Sequence, residues 1–344
     1  MMRTCIFIPP LKKATGGTAV LLQLARHLHQ GGYGVCLVPR EDTMPAGDDH
    51  ADIPVVRWDS LRLTPQDIWL VPEGWVNALT PGLQAGARSV VYVQNWAYLL
   101  SALPQGVHWN RLPVSFLNVS QPVAWFTREA TGRQGPVLRP GIDTALFHAP
   151  AARPGGPVRI AWMPRKNKAL AVRIREFFEA RRAQHGGAQV EWRELHGLTH
   201  RQVAEELRQA DIFLATGFPE GCPLPPLEAM ACGCVVTGFS GMGGWDYMRQ
   251  AMPQGYTPWW PMRPPHETPW DGNGFFAADA DVPAAALALE HAVSLVETSR
   301  TEPCAPLDSV RKNAQVTVSH YSLEKQREAV LDLWSQAALG NIFS

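Results

Sequence analysis

The sequence predicts an α/β protein made of two consecutive units, each a parallel sheet with helices on both faces. Three observations carry this. Short apolar runs recur along the chain and alternate with segments of helical periodicity. The composition breaks at 149–157, where Ala-Pro-Ala-Ala-Arg-Pro-Gly-Gly-Pro interrupts the alternation and the pattern then restarts. The length, 344 residues, exceeds what one hydrophobic core usually fills.

The first half opens with a buried strand over 5–8, a loop through Gly16-Gly17, and a helix over 19–29 with Val20, Leu21, Leu24 and Leu28 on one face. Gly31-Gly32 ends that helix, and 35–38 is the next strand, so the chain begins as a βαβ unit. Further strands are expected over 68–71, 89–93, 115–119 and 137–138, with a helix over 122–131. In the second half strands fall over 158–163, 190–195, 212–215 and 235–237, and helices over 169–182, 201–209 and 227–232. The stretch 253–272, rich in Pro and Trp, is expected to be irregular, and helices follow over 284–298 and 323–339. The expected domains are therefore 1–148, a linker over 149–157, 158–319, and a C-terminal helix over 320–344.

Composition excludes several classes. Lys plus Arg equals Asp plus Glu at 31 each, so no bulk charge draws the chain to nucleic acid or an acidic membrane. The six cysteines lack paired C-x-x-C spacing, which argues against zinc; Cys5 and Cys36 sit in apolar runs as small buried hydrophobes in a reducing compartment. No uncharged run approaches the roughly 18 residues of a membrane span, and the apolar N-terminal stretch ending at Pro9-Pro10 reads as a strand rather than a cleavable leader. A cytoplasmic protein is expected, with peripheral contact at the inner membrane face left open. The thirteen tryptophans are spread along the chain, Trp69, Trp75, Trp96, Trp109, Trp125 and Trp245 among them. They read first as packing residues and second as flat platforms for a sugar or lipid.

The informative stretch is 216–236. A strand ends near Ala215, Pro225-Pro226 suit a helix start, and Gly233 suits its end. The helix start then lies at the carboxyl ends of the strands, where open α/β sheets bind ligands and where phosphate is attracted. Glu220 precedes this helix and Glu228 is expected in its first turn. Carboxylates are acceptors only, so two of them beside a phosphate site make sense if the ligand also offers sugar hydroxyls. The alternative reading leaves Glu228 complementing the helix dipole and Glu220 solvated.

Glu220-x7-Glu228 within Glu-Gly-Cys-Pro-Leu-Pro-Pro-Leu-Glu-Ala-Met-Ala-Cys-Gly-Cys resembles the donor-site motif of the retaining glycosyltransferases of family four (glycosyl transferases group 1), which have the GT-B architecture: two Rossmann-like domains facing a central cleft. The resemblance extends to Gly16-Gly17, to 140–147, to 163–168 and to His320-Tyr321-Ser322. It implies that Arg165 and Lys168, with Lys166 as the alternative lysine, neutralise a donor diphosphate. They would stabilise its leaving charge, with Glu220 the third catalytic residue, holding donor-sugar hydroxyls. Glu228 would accept from ribose hydroxyls. Backbone at Gly221, Cys222 and Leu224 would face sugar and phosphate, and Gly16 and Gly17 would let backbone approach the diphosphate. His196 and Leu198 would pack the nucleotide base.

The sequence departs from the family at Pro223, where many members have glycine, and at Gln94-Asn95-Trp96, where an acceptor-side histidine is common. Glu73, Trp75, Gln94 and Asn95 are the acceptor-side candidates, with packing an equal reading for Glu73 and Trp75. Gly241-Met242-Gly243-Gly244 is either a nest for donor oxygens or a tight loop. The resemblance implies metal-independent transfer, with retention, from a nucleotide-diphosphate sugar to a hydroxyl acceptor such as a glycan, a lipid-linked glycan or a metabolite. No cofactor and no metal site are expected. A non-catalytic glycosyltransferase-like binding subunit is the alternative. A nicotinamide oxidoreductase is disfavoured, because G-x-G-x-x-G is absent and Pro39-Arg40 follow the second strand.

Overall fold

A computed structural model describes the chain except residues 1, 11–15, 42–43, 45–50, 188, 259–265, 339, 341 and 344. Part of the expected early loop and part of the Pro- and Trp-rich stretch therefore lie outside the described residues. Two compact units result: 1–141 with 323–344, and 142–322.

The first unit contains β1 (Arg3–Ile8), α1 (Gly16–Gln30), β2 (Gly34–Pro39), β3 (Ile68–Pro72), α2 (Thr80–Ala85), β4 (Arg88–Val93), α3 (Trp96–Ser101), β5 (Ser115–Asn118) and α4 (Gln121–Thr131). Its sheet runs β2-β1-β3-β4-β5, and every pairing is parallel. These strands are continuous apolar runs because both faces of the sheet are covered. Helix α4 starts on Ser120, whose hydroxyl accepts from the Val123 N–H, and ends at Gly132 in the left-handed region. The expected strand over 137–138 is only an isolated bridge from Asn118 to Val137, because Pro136 and Pro140 confine regular pairing on either side.

The second unit contains β6 (Val158–Trp162), α5 (Lys168–His185), β7 (Val190–Glu194), α6 (His200–Gln209), β8 (Ile212–Ala215), α7 (Leu224–Ala231), β9 (Val235–Phe239), the single turn α8 (Gly241–Gly244), β10 (Gly274–Ala277), α9 (Val282–Ser299) and α10 (Ala305–Ser319). Its parallel order is β10-β9-β8-β6-β7. Phe178 and Phe275 are fully buried in the layer between this sheet and α5 and α9; burial of a side chain this size contributes roughly 1.5–3 kcal/mol. Helix α11 (Leu323–Ala338) returns to the first unit. There Trp334, wholly buried, donates its indole N–H to Thr4 Oγ1 at 2.8 Å.

The division falls at residues 141/142 and 322/323 rather than at the Pro- and Gly-rich 149–157. The reason is packing. Ile142 and Phe147 are buried in the second unit's core, and the Ile142 N–H donates to Tyr321 O at 2.8 Å. Arg153 fastens 149–157 to the same unit through the carbonyls of Ala210 (2.8 Å) and Cys232 (2.6 Å). Residues 320–322 likewise stay with the second unit, where Tyr321 is buried.

Candidate functional site

In a parallel sheet the chain's first strand is where successive connections turn to opposite sides, and ligands bind at the carboxyl ends beside it. In the second unit that strand is β6, flanked by β8 and β7. The loops leaving β6 and β8 line one pocket, which includes Met163, Arg165, Lys166, Thr216, Gly217, Glu220, Pro223, Pro225 and Met248.

Asn167 joins the two walls. It sits in the left-handed region (φ 56°), which Asn tolerates better than most residues. From there its Nδ2 donates to Thr216 O (2.7 Å) and Phe218 O (3.0 Å). The Thr216 hydroxyl donates back to Lys166 O at 3.3 Å. This residue escapes a reading of the sequence alone; its signal is a lone Asn between two lysines at a strand end.

Of the basic residues, Arg165 and Lys166 line the pocket, and the Lys166 ammonium forms an ion pair with Glu220 Oε1. Lys168 is the exposed first residue of α5 and lies outside the pocket lining. The cation and the carboxylate expected to hold different parts of a ligand thus meet each other across the pocket.

Glu228 is the fifth residue of α7, one turn on from Leu224, not in the first turn. It is buried at 7% exposure, and His200 Nε2 lies 2.9 Å from its Oε1. Burial with His200 as its one polar partner among the described residues disfavours the reading of Glu228 as a mere complement to the helix dipole. His200 is not among the expected residues. It opens α6 just after Thr199, whose capping box with Gln202 fixes the helix start. Its ring packs edge-on to Phe147 at 4.8 Å. Substituting Glu228→Gln keeps an acceptor oxygen but removes its charge. A charged hydrogen bond exceeds a neutral one by about 1 kcal/mol, so if Glu228 holds ligand hydroxyls, as the family resemblance implies, ligand affinity should fall about five- to tenfold. Titration calorimetry with the nucleotide sugar would check this, and an unchanged Kd would remove Glu228 from the site.

The start of α7 is poor in amide donors. Pro223, Pro225 and Pro226 occupy three of its first four positions, so Leu224 alone of these carries an N–H. Tyr247 anchors this start by donating its hydroxyl to Pro223 O at 2.6 Å, and burial pushes the phenol well above its usual range. Tyr247→Phe should cost about 1 kcal/mol of stability, read by urea denaturation, and should loosen the Pro223 end of the pocket. Gly221 is buried and Cys222 half-buried. The Gly241–Gly244 turn packs its Gly243 on the backbone of Glu220 and Gly221, leaving no room for a Cβ. The Gly241 N–H is taken by Asp279 Oδ1 at 2.9 Å, which favours the tight-loop reading over an open nest. His196 and Leu198 follow β7 in an exposed turn.

The remaining candidates belong to the first unit. Gly16 and Gly17 are the first residues of α1 rather than part of a loop. Glu73, after β3, is buried at 4% exposure and accepts from the amides of Gln94 (2.9 Å) and Asn95 (2.8 Å). Trp75 is half-buried against Phe7, 5.8 Å between ring centroids. Trp69 and Trp109 are core residues, whereas Trp125 is 54% exposed. No helix among the described residues is long and apolar enough to cross a membrane.

Two five-stranded parallel α/β units are the layout of the GT-B fold. Similar structures agree. The sucrose-phosphate synthase of Thermosynechococcus elongatus matches at TM-score 0.67 and 13% identity, over 99% of this chain and 100% of that one. The catalytic domain of starch synthase IV from Arabidopsis thaliana, bound to ADP and acarbose, matches at 0.59 and 13%, over 96% and 99%. Residues 172–253 match the family model for glycosyl transferases group 1, a segment that includes His200, Glu220 and Glu228. An alpha-1,6-glucosyltransferase of Actinobacillus pleuropneumoniae serotype 7 is 27% identical over 236 residues, 67% of this chain and 70% of its own length. The chain is thus similar to group 1 glycosyltransferases over residues 172–253 and shares the fold of the solved GT-B structures.

Proposed function

We propose that the second unit binds a nucleotide-diphosphate sugar and that the enzyme transfers its sugar to a hydroxyl acceptor with retention at the anomeric carbon and without a metal ion. The observation that carries this reading is the single pocket that presents Arg165, Lys166 and Glu220 together at the carboxyl ends of β6 and β8. The two cations suit a pyrophosphate. Glu220, freed from Lys166 when phosphate takes the ammonium, becomes an acceptor for sugar hydroxyls. Glu228, held by His200, accepts from the ribose. Because α7 begins with few amide donors, side-chain cations rather than the helix start carry most of the leaving-group stabilisation.

In the reaction, the bond from the anomeric carbon to the diphosphate oxygen breaks and a bond to the acceptor oxygen forms on the same face. The acceptor proton passes to the departing phosphate oxygen, so no separate carboxylate base is required. The Arabidopsis neighbour's ADP supports a nucleotide in this class of site. A panel of nucleotide sugars screened by thermal shift should raise Tm for at least one member, and proton NMR of the product should show the donor's anomeric configuration. No stabilising nucleotide sugar, or an inverted product, would refute the reading.

A further inference from the structure

We propose that Glu73 is a positioning residue of the transfer reaction: its carboxylate clamps the turn after β4 and, through Gln94, ties that turn to the opening of α1. This rests on the glycosyltransferase reading above, and concerns the first unit alone.

The geometry is a chain of short links. Strand β3 is the neighbour of β1 on the side opposite β2, so the residues after β1 and β3 flank the point where the first sheet's connections diverge. Glu73 follows β3 directly and points its two oxygens at two successive amides of the neighbouring strand's exit: Oε2 accepts from Gln94 at 2.9 Å and Oε1 from Asn95 at 2.8 Å. With its backbone held, Gln94 donates Nε2 to Gly17 O at 3.1 Å, in the first turn of α1. Asn95 caps α3, its Oδ1 accepting from the Ala97 N–H at 3.0 Å. One carboxylate therefore sets three segments at the carboxyl edge of the sheet, the edge at which open parallel sheets receive ligands.

Burial raises the Glu73 carboxyl from 4.5 to about 7, although the amides of Gln94, Glu73 itself and Asn95 pull it back down. Among the described residues no charged side chain contributes to that shift; the group faces backbone amides of its own turn and of the turn after β4. The sign follows. A carboxyl whose folded value is raised contributes stability that is present below about 4.5 and is lost as pH climbs to about 7. Near neutrality ionisation of the clamp thus costs stability, offset in part by the amides that it satisfies. What the charge supplies is two strong acceptors for two adjacent N–H groups, which a glutamine cannot match because its NH2 would confront one of them.

The test uses the full-length protein with Glu73→Gln and Glu73→Ala. In Glu73→Gln, acceptor-dependent transfer should fall about 10- to 100-fold, as expected for a small misplacement of a reacting partner, while the Kd for the nucleotide sugar stays within about twofold. Wild-type transfer should rise as pH passes through about 7, and the variant should lose that step along with the fall of Tm between pH 4.5 and 7. Transfer at the wild-type rate with an unaltered pH profile would overturn the proposal, as would a loss of transfer matched by equal loss of donor binding. Hydrogen exchange is an arm independent of activity: the amides of Gln94 and Asn95 should exchange at least about tenfold faster in Glu73→Ala. If wild-type protein transfers no sugar, the functional reading fails, and exchange still decides the clamp: unchanged rates at both amides overturn it.

Discussion

Lys166→Ala should lower the turnover number with saturating donor by about 10²- to 10³-fold, the usual loss when one preorganised charge facing a developing anion is removed. Lys168→Ala should leave turnover within about threefold of wild type, since an exposed cation acts through screened solvent. Both lysines follow β6, and the family resemblance points to Lys168, with Lys166 as the alternative. The structure separates them by one residue of helix start: Asn167 in the left-handed region turns the chain, so Lys166 lines the pocket and Lys168 begins α5. The poverty of amides at α7 sharpens the expectation, because few other groups can replace the missing ammonium. Equal losses in the two variants, measured by steady-state kinetics, would show that the cation assignment is wrong.

Gly243→Ala should destabilise the protein by about 3 kcal/mol, at the upper end of overpacking costs, and should abolish most transfer. An added Cβ at this position would overlap the carbonyl groups of Glu220 and Gly221. These are backbone atoms, so relief cannot come from a rotamer change. The segment that would have to move carries the Glu220 side chain, and a shift near 1 Å there costs about 100-fold in rate. Gly155→Ala is the matched control: nothing lies within 4 Å of the place its methyl group would take, and urea denaturation should give the wild-type midpoint. A midpoint for Gly243→Ala equal to that of Gly155→Ala would show that the α8 turn does not brace the Glu220 loop.

The strands and the first helix are legible in the sequence because continuous apolar runs such as Ile68-Trp69-Leu70-Val71 have few other uses. The pocket's carboxylate is legible too, through the Pro and Gly pattern around Glu220. What stays hidden is set by contacts distant in sequence. Nothing local marks His200 as the partner of Glu228, 28 residues on. Nothing local marks Asn167 as the tie between two loops, or tells Lys166 from Lys168. Strand β10 escapes notice because Gly-Phe-Phe-Ala is short and follows an irregular stretch, and α10 because its buried face mixes Leu307 and Val310 with Ala314 and Thr317. Composition puts the domain boundary at 149–157, whereas the packing of Phe147 and the reach of Arg153 move it. Composition reports how flexible a segment could be when free, not what it is fastened to.

Helix α11 completes the first unit from beyond the second. Val330, Trp334 and Ala337 are wholly buried there, and Arg88 reaches the Ala337 carbonyl at 2.8 Å. During synthesis, the N-terminal sheet must therefore wait, one flank uncovered, while the whole of residues 142–322 is made. On a ribosome the second unit can finish before the helix that seals the first unit has emerged.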